Sequence, residues 1–308
     1  MDLLSSEDVS RLIPIGNGRQ LYVHATGPYV PDVPLVFIVP GMGDCSATWL
    51  AVHRAISFAR VFSYDRAGLG RSPDVDQERT MDQILEDLTS LLKAAPLPGP
   101  FVFVGHSYGG TILRALLAKQ DSLFAGYVAV DAIPETWQRP WPKDDIMAVW
   151  ADVDYFEVSG LNSDNVLTPA EWKRVHELTT SDEDTQNRED KYSMPSHEAL
   201  YKLDQLGGAP LLGNRPVCVV KGDVVRDFQR ICDAGVKAGN GTPEQQKVFQ
   251  DIVELYRSTE DELHERQLKL STRGHIIRTR HSGHNVQATE PEPIAQGIRW
   301  VLRQLATL

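Results

Sequence analysis

The chain has 308 residues, 42% of them apolar, enough for one large domain carrying an insertion. Its formal net charge of −11 argues against nonspecific binding to nucleic acid or to an anionic membrane surface, since both reward clustered Lys and Arg. No run reaches the roughly 18 apolar residues of a membrane helix, and the opening "MDLLSSEDVSRLIPIGNG" lacks the basic and apolar regions of a secretory signal.

Up to residue 132 strands and helices alternate. "RQLYVHAT" reads as an edge strand, and "PLVFIVP" as a short apolar run buried on both faces. "CSATWLAVHRAIS" is helical and "RVFSYD" is a strand. "TMDQILEDLTSLLKAA" is an amphipathic helix, with Thr80 and Gln83 at the spacing of a capping box. "FVFVGH" is a strand, "GGTILRALLAKQ" a helix and "GYVAVDA" a strand. This alternation predicts a parallel sheet covered on both faces. The next stretch breaks the rhythm with charge, prolines and Trp137, Trp141, Trp150 and Trp172. "PVCVV" restores a buried strand at 216. A long amphipathic helix follows from Thr242, then "HIIRTR" as a last strand and "EPIAQGIRWVLRQL" as a closing helix. The expected organisation is a sheet domain over 1–132 and 214–308, interrupted by an insertion over 133–213.

Gly105-His106-Ser107-Tyr108-Gly109 is G-x-S-x-G between a predicted strand and a predicted helix, the context of a nucleophile elbow. So tight a turn leaves room only for glycine two residues to either side. It places Ser107 at the carboxyl edge of the sheet and at a helix N-terminus. A serine hydroxyl needs a base, and histidine is the usual one near neutral pH. His284 in "RHSGHN" lies between the last strand and the last helix, on the same sheet edge, with His281 as its rival. His106 should pack away from Ser107. Asp131 and Asp223 both stand where a strand ends on that edge, and Asp227 lies nearby; placement alone leaves the orienting acid open. Donors for a developing oxyanion are expected from the Tyr108 N–H and from the Met42 N–H in "VPGMGD".

Taken together, "YDRAGLGRS" at 64–72, "VGHSYGG" at 104–110, "VAVDA" at 128–132 and "SGHN" at 282–285 resemble the α/β-hydrolase fold superfamily. The resemblance covers 15–132 and 214–308. It implies a mostly parallel, doubly wound α/β sheet of α/β-hydrolase type with a helical cap over 133–213. It is similar to the serine-nucleophile, esterase/lactonase-like branch whose acid follows the sixth strand, here Asp131. Two departures stand out. The oxyanion loop begins Pro40-Gly41 where the superfamily often has His-Gly, which backbone donors do not require. The usual G-x-x-D after the seventh strand is missing, because Asp223 and Asp227 lie one and five residues beyond Gly222. Haloalkane dehalogenases and epoxide hydrolases of this fold carry aspartate at the elbow, so Ser107 argues against both.

Cys45, Cys218 and Cys232 form neither a disulfide framework nor a metal motif and suit a reducing compartment. No metal or nucleotide motif occurs, so no cofactor or metal is expected. The sequence reads as a cytoplasmic serine hydrolase of a carboxylic ester or lactone, with Ser107, His284 and Asp131 as triad and Met42 and Tyr108 as oxyanion donors. Trp137, Trp141 and Trp150 either contact an apolar or ring-bearing small-molecule substrate or form the cap's own core. No nucleic-acid or membrane partner is expected, and a homodimer is one option for assembly. A C–C bond hydrolase or an amidase would use the same triad. The alternative of another class is a ligand receptor with little turnover, built on the same fold.

Overall fold

The computed structural model describes residues 3–5, 7–132, 141–181 and 183–306. Eight strands form one sheet: β1 (Val9–Gly16), β2 (Arg19–Thr26), β3 (Val36–Val39), β4 (Val61–Tyr64), β5 (Phe101–His106), β6 (Phe124–Val130), β7 (Val217–Lys221) and β8 (Gly274–Arg278), in the order β1-β2-β4-β3-β5-β6-β7-β8. β1 and β2 pair antiparallel, as do β2 and β4, and every other pairing is parallel.

β2, expected at the edge, is second from it, because β1 pairs along it. The turn between them is Asn17-Gly18, with both residues at positive φ (54° and 72°). Asn-Gly is the strongest short hairpin signal in a sequence. β1 itself is weakly patterned, with only Val9, Ile13 and Ile15 buried, so its residues carry little strand signal.

The helices are α1 (Leu50–Ala55), α2 (Met81–Ala94), α3 (Tyr108–Lys119), α4 (Lys143–Trp150), α5 (Tyr155–Val158), α6 (Leu161–Asp164), α7 (Pro169–Ser181), α8 (Glu183–Lys202), α9 (Val224–Ala238), α10 (Pro243–Arg266), α11 (Val286–Thr289) and α12 (Pro291–Leu305). Successive strand residues point to opposite faces, and here both faces are apolar. Phe37, Phe62 and Phe103 join the cluster that holds Leu88 and Leu91 of α2 and Ile112 and Leu116 of α3. Val36, Val61, Val102 and Val104 join the cluster with Val52 of α1 and Ile298 and Val301 of α12. Two covered faces explain why the inner strands read as unbroken apolar runs. At the N-terminus of α2 the Thr80 side chain accepts from the Gln83 N–H at 3.3 Å, but the return half of the expected capping box is missing. The full box forms at α10, between Thr242 and Gln245.

Helices α4 to α8 lie between β6 and β7, and α9 and α10 between β7 and β8. α4 packs on α9 and α10 around Ile146, Val149, Ile231, Cys232, Phe249 and Val253. This apolar cluster therefore crosses the boundary at 213 that the sequence pattern drew. Among the described residues no helix is long and apolar enough to cross a membrane. Phe249 is fully buried in that cluster, so Phe249→Ala should cost about 3–5 kcal/mol, read as a lower midpoint in urea unfolding.

Candidate active site

β5, β6 and β7 are neighbours, and their carboxyl ends lie level: His106 stands opposite Val130, and Val130 opposite Val220. The residues just beyond them are tied to the same edge. The Ser107 N–H donates to the Val130 carbonyl at 3.2 Å and the Asp131 N–H to the Val220 carbonyl at 2.7 Å. Ser107 takes φ 51° and ψ −122°, a conformation that a side chain disfavours. Gly109 makes the turn buildable, since a Cβ there would run into the Val39 carbonyl oxygen. Tyr108 then opens α3, and the first N–H groups of a helix have no intrahelical acceptor.

His284 is fixed at three points. Its Nδ1–H donates to Asp131 Oδ2 at 2.6 Å. Its backbone N–H donates to Asp227 Oδ2 at 2.8 Å, and its carbonyl accepts from His106 Nε2 at 2.9 Å. Burial works against charge on the ring, but the Asp131 hydrogen bond and its charge outweigh it and raise the His284 pKa. The same partnership runs the other way at Asp131. Burial pushes this carboxyl up, the His284 contact prevails, and the group is held below its ordinary value. His106 is pushed down to about 3 by burial and by the charge of His284, and its ring packs against those of His284 and Trp49. Among the described residues Ser107 Oγ makes no hydrogen bond. Of the rival candidates, only Asp227 touches His284, and it does so at the backbone. His281 is exposed. Asp223 caps α9 by accepting from the Arg226 N–H at 3.0 Å.

Further contributors surround this core; of them only Asp227 stood out in the sequence, and there as a rival for the orienting acid. Asp227 is buried, pairs with Arg226 at 2.9 Å and holds the His284 backbone. Glu290 accepts from the N–H groups of Arg280, His281 and Ser282 at 3.0–3.1 Å and so shapes the same loop. Behind Asp131, His264 Nε2 lies 3.7 Å from Oδ1 and 3.9 Å from Glu260, while the Lys221 ammonium stands 3.3 Å from Glu260. Burial and the Asp131 charge lift Glu260 to about 7. Asp131, Glu260 and His264 are the one set among the described residues with metal-ligand spacing, and Lys221 already supplies a cation against it. Neither Asp227 nor Glu260 stands in a motif; the hairpin of α9 and α10 brings both to the site.

The Met42 N–H has no acceptor among the described residues. Trp141 packs its ring on Phe228 and Tyr256, inside the cluster of α4, α9 and α10. Trp150 packs on Tyr155, whose hydroxyl accepts from the side chain of Asn285, next to His284, at 2.6 Å. Trp137 lies outside the described residues. In an NMR titration the His284 ring should titrate above 6.5, its ordinary value. In Asp131→Asn, which removes the largest of the influences that raise it, its pKa should fall from the wild-type value.

The alpha/beta hydrolase family model matches residues 35–296. An "AB hydrolase superfamily protein" from Gibberella zeae is 28% identical over 98% of this chain and 97% of its own length. A Hormonema carpetanum protein named "Probable transporter efuK" is also 28% identical over 97% of this chain, which spans only 44% of that protein. Among solved structures, a membrane phospholipase A superposes with a TM-score of 0.62 at 15% identity, covering 99% of this chain and 88% of the other. An epoxide hydrolase from Vigna radiata superposes with a TM-score of 0.63 at 14% identity, covering 96% and 98%. These two likenesses speak for the fold. With a family match over most of its length, on the sheet order and strained serine turn described above, the chain belongs to the alpha/beta hydrolase family.

Proposed function

We propose that the protein is a serine hydrolase that cleaves a carboxylic ester or lactone through an acyl-enzyme. One observation carries the reading: a serine held at φ 51° on the sheet edge that also carries the 2.6 Å pair of His284 and Asp131. Ser107 Oγ attacks the carbonyl while His284 Nε2 takes its proton. Asp131 holds the ring by Nδ1, fixes the tautomer and balances the imidazolium. The Met42 and Tyr108 N–H groups receive the oxyanion. His284 returns the proton to the leaving alcohol. It then takes a proton from the water that releases the acid, and Ser107 is restored.

The family match supports hydrolysis as the general activity. Ester or lactone as the bond rests on the resemblance of "VAVDA" and "SGHN" to the esterase/lactonase-like branch, since the same triad serves an amide or a C–C bond. Trp141 lies among the rings of α9 and α10, so we assign it to the packing of the helices over the sheet. Trp150 reaches the site through Tyr155 and Asn285. It is the tryptophan of choice for a wall against an apolar or ring-bearing acyl group.

A fluorophosphonate should label Ser107, and Ser107→Ala should abolish both the label and hydrolysis of a p-nitrophenyl ester. Asp131→Asn should lose about 10⁴ in kcat. Asp223→Asn should stay within about tenfold of wild type, and Asp227→Asn should fall between the two because it anchors the His284 backbone. A label on another serine, or full activity in Asp131→Asn, would overturn the assignment. Amide and diketone panels, run beside the esters and lactones, decide the bond.

A further inference from the structure

Arg66 and Glu189 are among the most buried charges in the molecule, with side chains 1% and 0% exposed. Neither belongs to the reacting groups proposed above. Arg66 follows β4, and Glu189 lies on α8, which is inserted between β6 and β7. The guanidinium meets the carboxylate in a two-pronged contact, Nε to Oε1 at 2.5 Å and Nη2 to Oε2 at 2.8 Å. Its other donors go to the backbone of the loop after β3. Nη1 donates to the Pro40 carbonyl at 2.8 Å, and Nη2 also donates to the Gly41 carbonyl. From the other side of Met42, the Gly43 N–H donates to Glu189 Oε2 at 3.1 Å. One ion pair thus fixes the backbone before and after Met42 and leaves the Met42 N–H unspent among the described residues.

The same helix touches the second oxyanion donor. Ser196 of α8 hydrogen-bonds the Tyr108 hydroxyl at 3.3 Å, and His197 packs edge-on against the Tyr108 ring. Stability is a poor reason for such a pair, because two buried charges are often no better than two apolar side chains of similar size. Geometry is a better one. A loop that begins Pro40-Gly41 offers little side chain to pack, and an oxyanion donor must be held to a fraction of an ångström.

We infer that Arg66 and Glu189 are positioning residues that hold the Met42 N–H on the oxyanion, so that the hole is complete only while α8 is docked. The inference rests on the serine-hydrolase reading above. Two variants test it: Glu189→Gln, which keeps the shape and removes the charge, and the double variant Arg66→Met with Glu189→Leu, which fills the space with apolar atoms. Each is checked for folding by circular dichroism. Each is then assayed for kcat and KM on a p-nitrophenyl ester and for the rate of fluorophosphonate labelling at Ser107. Loss of a single oxyanion donor costs about 10²–10³ in kcat. A misplaced donor should therefore lower kcat and the labelling rate by at least about tenfold in the double variant, with KM little changed. A folded double variant that keeps wild-type kcat would overturn the inference. So would failure of both variants to fold, which would make the pair structural. Wild type that neither labels at Ser107 nor turns over any ester, lactone, amide or diketone would instead remove the reading beneath it, and the inference with it.

Discussion

The start of α3 lies closer to the ends of β3 and β6 than side chains would permit. A Cβ on Gly109 would strike the Val39 carbonyl, and one on Gly110 would strike Ala132. A Cβ on Gly105 would come within 2.8–2.9 Å of Leu113, Gly109 and Gly110. This close approach lets a buried strand turn into a helix within a single residue, and that residue is Ser107. It pays for the positive φ of the serine through the packing of the whole of α3, whose Ile112, Leu113 and Leu116 are buried against the sheet.

Around that turn the molecule uses carboxylates chiefly to place backbone. Asp227 takes the N–H of His284, Glu290 takes three N–H groups of the preceding loop, and Glu189 takes the N–H of Gly43. Each carboxylate serves donors that a loop cannot satisfy for itself. Charge-assisted bonds of this kind are stronger than neutral ones and more directional than apolar packing. Asp131 holds a histidine ring as well as backbone. Oδ2 accepts from His284, while Oδ1 accepts from the Gly222 N–H at 2.9 Å. Both oxygens are engaged, so the carboxylate cannot rotate away from the ring. His264, Glu260 and Lys221 form a further buried layer behind it.

The helices over the sheet come from two parts of the chain. α4 precedes β7, while α9 and α10 follow it, yet they share one apolar cluster. At Gly235 of α9 a Cβ would collide with the backbone of Val149 on α4, so the two helices meet at backbone distance. Selectivity assigned to the segment 133–213 alone would leave out half of this packing. α8 is joined to the sheet differently, through the buried Arg66–Glu189 pair and the Tyr108 contacts. α7 adds a second apolar contact, its Val175 buried with Cys45, Ala47 and Ala51.

Local signals in the sequence determined much of this protein. Unbroken apolar runs marked the parallel strands because both faces are covered. The spacing of glycines about Ser107 marked the turn because steric exclusion there is local. "SGHN" marked His284 by its place after the last strand, while only the resemblance carried by "VAVDA" separated Asp131 from Asp223. The Asn17-Gly18 hairpin was also written locally, but β1 beside it carries only three buried apolar residues, too weak a pattern to stand by itself. The tertiary structure alone decided the rest. Arg66 meets Glu189 across 123 positions, Asp227 meets the His284 backbone across 57, and Glu260 and His264 reach Asp131 only because α10 folds back over β7. Charged residues on helices usually face water, and nothing in the sequence near Glu189 distinguishes it from the many that do. Long-range pairing of buried charge has no period and no motif, so only the folded chain identifies its partners.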